Sequence, residues 1–103
     1  MANMEITPRK LALKEGSTTL MLDKDSGKAV LQQKLLLWKK KPVEFALSDI
    51  DDIAVRSIVD GPSGATIHHS VLHRRTGETA VLTTEKATEA EATVRKLRDF
   101  VGL

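Results

Sequence analysis

The stretch IHHSVLHRR, residues 67–75, carries all three histidines of the chain and closes on two arginines. Whether it is a helix or a strand decides both the fold and the chemistry. On a helix, His69 and His73 stand at i and i+4, one turn apart on one face, and could chelate a metal together. On a strand, successive side chains alternate faces and rise about 3.3 Å each, so His68 points away from the other two, which stand about 13 Å apart. Ligands of one zinc ion converge to about 2 Å from it, which three side chains of a single strand cannot do. Ser70, Val71 and the flanking turns, DGPSG at 60–64 and TG at 76–77, favour a strand. The histidines are therefore expected at the surface or rim, with no metal and no cofactor.

Outward from this strand, short apolar runs alternate with turn residues at roughly regular spacing, the pattern of an all-β domain. Residues 78–84, ETAVLTT, close the sheet. Upstream, a strand from about Ile53 to Val59 is rich in β-branched residues and follows a corner at Ser48–Asp51. A first hairpin joins Ser17–Asp23 to AVLQQKLLLW at 29–38 through Asp25, Ser26 and Gly27. Pro42, which has no N–H for a ladder, is expected at the turn or first residue of the strand VEFAL. The last segment changes period: Ala90, Val94, Leu97 and Val101 recur on one face of an amphipathic helix at about 88–101. Thr88 with Glu91 reads as a capping box, and Gly102 as a left-handed C-terminal cap. The expected architecture is mainly β, a bent antiparallel sheet or split barrel of six to seven strands capped by one C-terminal helix. It occupies residues 17–103, with 1–16 as a partly ordered N-terminal extension.

Composition excludes several classes. A chain of 103 residues is expected to form one domain that buries roughly two-thirds of its unfolded surface. Without cysteine there is no disulfide, thiolate chemistry or sulfur-bound metal. The net charge of +2 is too slight for the basic stripe of a nucleic-acid binder, and three aromatics are too few for a stacking platform. No window approaches the about 18 apolar residues of a membrane span, and the start MANMEITPRK lacks the apolar core of a signal peptide, so a soluble cytoplasmic protein is expected.

Three pieces, VEFALSDIDDIAV at 43–55, HRRTGETAVL at 73–82 and the terminal EAEATVRKLRDFVGL, resemble the bacterial pleckstrin-homology-like families, over roughly residues 17–102. The resemblance implies a small curved barrel closed by a C-terminal helix and used for interaction or oligomerisation, without a catalytic centre. It supplies no functional residues. Phosphoinositide-binding members of the wider group use basic residues around the first hairpin loop, where this chain offers only Lys24 and Lys28, interrupted by Asp25.

The candidate site residues follow from LLLWKKK, residues 35–41. Along one continuous strand, Leu31, Leu35 and Leu37 share a face while Leu36 and Trp38 share the other, so both faces are apolar. Either the C-terminal helix covers the second face or Leu36 and Trp38 form an exposed interface with another chain. No nucleophile elbow, phosphate-binding loop or HExxH pattern occurs, and Asp49, Asp51 and Asp52 suit a corner better than a catalytic cleft. The chain is accordingly expected to be a non-catalytic protein-interaction module that self-associates as a homo-oligomer. The alternative is an anionic-ligand module, for phospholipid headgroups or nucleic acid, using Lys39, Lys40 and Lys41 with Arg74 and Arg75.

Overall fold

A computed structural model describes residues 3–16, 18–35, 38–39 and 42–103, with the side chains of residues 34, 35, 38 and 39 outside that description. The chain divides into two compact units, Met1–Asp49 and Ile50–Leu103, each treated by itself. The boundary falls inside the segment expected as one domain.

The first unit is an antiparallel sheet of β1 (Asn3–Ile6), β2 (Lys10–Glu15), β3 (Thr18–Asp23), β4 (Lys28–Leu35), β5 (Trp38–Lys39) and β6 (Val43–Ala46), in which both β5 and β6 pair with β4. The expected hairpin is present: β3 and β4 pair from Thr18↔Gln33 to Asp23↔Lys28, and Gly27 takes the left-handed φ of 70° that closes the turn. Pro42 stands just before β6, as its missing N–H requires. One face of this sheet holds Leu11, Leu13, Leu20, Leu22, Ala29, Leu31 and Phe45, all buried. Cross-strand partners such as Leu13, Leu20 and Leu31 form one continuous row. Each fully buried leucine contributes about 1.5–3 kcal/mol.

Within the expected N-terminal extension, β1 and β2 join the sheet: KLALKE at 10–15 alternates Leu11, Leu13 inward with Lys10, Lys14 outward, and β2 pairs with β3 over its whole length. One expectation fails in this unit, since no single strand runs through Trp38. Leu35 pairs with Trp38 and Lys34 with Lys39, so the chain has reversed between them and faces counted along a single strand do not apply.

The second unit is a three-stranded antiparallel sheet, β7 (Ile50–Val59), β8 (Thr66–Arg74) and β9 (Gly77–Thr84), followed by α1 (Ala87–Val101). A single 3₁₀ turn, Leu47–Asp49, precedes β7, which starts three residues before the expected strand. The helix packs across all three strands. Ala90, Thr93, Val94, Leu97 and Phe100 are buried against Ile53, Leu72, Val81 and Leu82, with Val101 only half-buried. Gly102 caps the helix in left-handed conformation, φ 84°, and its N–H and that of Leu103 donate to the Arg98 carbonyl at 2.9 Å. The expected capping box does not form. The helix begins one residue earlier, so the N-cap is Lys86, which offers no side-chain acceptor. Thr84, at the end of β9, accepts from the Lys86 N–H at 3.1 Å and donates to Glu89 at 3.3 Å, tying the start of the helix to the strand.

The protein is thus mainly β with one C-terminal helix. Its sheets are open and are not closed into a barrel, and the strands among the described residues number nine. They exceed the expected six to seven because β1 and β2 join the sheet and β5 is a separate short strand. Among the described residues, no helix is long and apolar enough to cross a membrane.

Candidate functional site

The ladder registers assign the side chains of the second unit's sheet to its two faces. His68, Ser70 and Leu72 of β8 align with Ser57, Val55 and Ile53 of β7 on the face toward α1. Ile67, His69, Val71 and His73 align with Ile58, Arg56, Ala54 and Asp52 on the other, joined from β9 by Thr83, Ala80 and Glu78. A bulge opposite Ser70 and Val71 makes Val81 the extra residue of β9 and turns it into the core.

Each histidine is held by a cross-strand neighbour. His68 Nδ1 lies 2.6 Å from Ser57 Oγ, His69 Nδ1 2.9 Å from Thr83 Oγ1, and His73 Nδ1 3.2 Å from a Glu78 carboxylate oxygen. His68 faces away from the other two, as the strand reading required. Among the described residues, no three metal-ligating side chains come together. Glu78 also receives Arg56 at 2.5 Å. Because Arg56 is on β7 and Glu78 on β9, this bridge crosses β8 above Val71, and the aliphatic stems of the two side chains shelter it. Arg56, Ile58, His69, Val71, Glu78 and Ala80 line an open groove there.

Ser70 is fully buried on the opposite face and donates to the Ala90 carbonyl at 3.2 Å. It anchors the helix. Of the acidic trio, Asp52 has a distinct role. Its side chain stands on the face away from α1, yet Arg98 reaches it from the helix, donating both to the Asp52 carboxylate and, at 3.0 Å, to the Ile53 carbonyl. The guanidinium therefore wraps around the outer edge of β7. Sequence reasoning missed this contact, since nothing in the spacing of two residues 46 positions apart announces it.

That edge has a definite polarity. Among the described residues, β7 has a strand on one side only, β8. At the hairpin end the Asp60 N–H donates to the Ala65 carbonyl, which makes Asp60 and Ala65 a hydrogen-bonded pair of the ladder. Counting back by alternation, Ile58, Arg56 and Ala54 spend their backbone groups on β8, whereas Val59, Ser57, Val55 and Ile53 direct theirs outward. At Ile53 the outward carbonyl is taken, because Arg98 donates to it at 3.0 Å while also holding the Asp52 carboxylate beside it. The Ile53 N–H and the Arg98 guanidinium hold the Asp52 carboxyl below the usual aspartate range. A depressed folded value means the latch is fully formed above the unfolded aspartate's titration and is lost as pH falls through the lower folded value. The melting temperature of Asp52→Asn should therefore lie below that of the wild type at pH 7, and the gap should narrow as pH falls below the usual aspartate range. An equal gap at every pH would assign the loss to something other than the charge.

The other sequence candidates are placed as follows. Leu36, Lys40 and Lys41 lie outside the described residues, and of Trp38 and Lys39 only the backbone, in β5, is described. Arg74 ends β8, half-buried, and Arg75 is exposed in the β8–β9 turn. Lys39 thus belongs to the first unit and both arginines to the second. No protein-family model matches this chain, nor does any curated protein or any solved structure.

Proposed function

We propose that the chain is a non-catalytic protein-interaction module that associates first of all with itself. The observation that carries this reading is the distal end of β7: Ile58 and Val59 are 49% and 66% exposed on a strand that, among the described residues, has a neighbour on one side only. Exposed apolar side chains on an open sheet edge are what another chain can cover. The polar groups that could have served chemistry have structural partners instead, Ser70 with Ala90, His68 with Ser57, His69 with Thr83 and His73 with Glu78. The proposal keeps the pleckstrin-homology-like relation, which the order of antiparallel strands and one terminal helix supports.

Multi-angle light scattering across a hundredfold range of concentration tests it. The mass should rise from one chain to a defined multiple, and the transition should persist at 1 M salt, where screening leaves little of a purely ionic association. A single-chain mass at every concentration sinks self-association.

A further inference from the structure

We propose that a second copy of the chain pairs antiparallel with the distal half of β7, about a two-fold axis at Ile58, so that Ser57 of each copy lies opposite Val59 of the other. This deepens the self-association reading and rests on it.

Three observations fix the place. Two antiparallel edges must meet outward group to outward group, so only Val55, Ser57 and Val59 can supply the ladder; the carbonyl of Ile53 is already taken by Arg98. An axis at Val55 would set Ser57 against the latched Ile53. An axis at Arg56 would oppose two arginines and set Val59 against Ile53. The second observation is charge. With the axis at Ser57, Arg56 faces an isoleucine, whereas with the axis at Ile58 it faces Asp60 of the second copy, twice by symmetry. The third is exposure, because this axis brings the two Ile58 side chains together and covers both copies of Val59, the most exposed large apolar residue among those described. Arg56 already reaches Glu78, but that bridge is solvent-exposed, and a guanidinium has five donors to share.

The absence of native cysteine makes the geometry directly readable. On the axis the Ile58 pair is non-hydrogen-bonded, with Cα atoms about 4.5 Å apart, within disulfide range. Under mild oxidation Ile58→Cys should give a covalent dimer nearly quantitatively. Ala54→Cys, whose two copies would stand roughly 26 Å apart, should stay uncross-linked. Ser57→Cys dimers forming in preference to Ile58→Cys dimers would overturn the axis. Independently of any cysteine, Arg56→Asp should raise the dimer dissociation constant at least about tenfold, and Arg56→Asp with Asp60→Arg should recover most of it. A wild-type dimer that neither cross-links at Ile58 nor responds to Arg56→Asp overturns the β7 interface while leaving self-association standing. A monomeric wild type overturns both.

Discussion

Leu72→Ala should lower the unfolding free energy of the protein by about 2–5 kcal/mol, the range for truncating a fully enclosed leucine. Leu72 is 0% exposed at the middle of the central strand of its sheet, opposite Ile53 and Thr79 and beneath the helix that carries Val94 and Leu97. Neighbours on three strands and a helix cannot all move in to fill the space, which places the cost toward the upper end. Against a total of about 5–15 kcal/mol for a domain of ordinary size, this is a large share, and the melting temperature should drop by about 10 °C or more. Met21→Ala, at an exposed site on β3, should cost about 0.5 kcal/mol or less. Urea titrations followed by circular dichroism make the comparison. Equal losses in the two variants would mean that the core has been assigned to the wrong side chains.

Arg98→Ala should leave the fold in place and change how the molecule associates. The side chain closes the outward carbonyl of Ile53 from the helix side and anchors Asp52 beyond it, so its removal extends the open edge of β7 from Val55–Val59 to Ile53–Val59. A longer free edge admits additional registers, and strands that can pair in several registers form open-ended assemblies. The expected result is material heavier than the wild-type oligomer, growing with concentration and time, at a melting temperature within a few degrees of the wild type, since an exposed ion pair itself contributes little. Arg98→Lys keeps a donor for the Ile53 carbonyl and should fall between the two. Identical mass distributions for wild type and Arg98→Ala, by sedimentation velocity, would show that the guanidinium does not guard the edge.

The parts of the fold governed by local chemistry were legible in the sequence. The turns at Gly27 and at residues 60–64, the position of Pro42, the left-handed cap at Gly102 and the strand character of the histidine run each follow from a few adjacent residues, and each is where the sequence put it. The misreadings have physical causes. KLALKE carries a clear two-residue alternation, but a short amphipathic run near the terminus is a weaker signal than a turn, so β2 reads from sequence alone as part of an extension. LLLWKKK offers no turn residue, so a reversal that pairs Leu35 with Trp38 is invisible to alternation. Thr88 lost the N-cap because Thr84, on the preceding strand, ties down the start of the helix one residue earlier. At the site the asymmetry is sharper. Composition could say that Ile58, Val59, Arg56 and Asp52 were present, but which of them lie on an open edge depends on the β7–β8 register and on an arginine one sheet edge away.

The strand order has a bearing on how the molecule is made. Apart from β6, which returns to β4 across the short β5, each described strand pairs with its neighbour in sequence. The segments that must be closed before a ladder can zip are therefore short, and the topological slowness of β proteins is largely avoided. During synthesis the sheet of the first unit ends at Ala46, before any residue of β7 has been added. The edge that a second copy would recognise, β7, is made before β8, β9 and α1, and the residue that guards it, Arg98, stands in α1, made last of these. For the interval between those two events a nascent β7 is unguarded along its whole length, so crowding of neighbouring nascent chains is a hazard to which this topology is exposed and which slow translation of residues 60–98 would prolong.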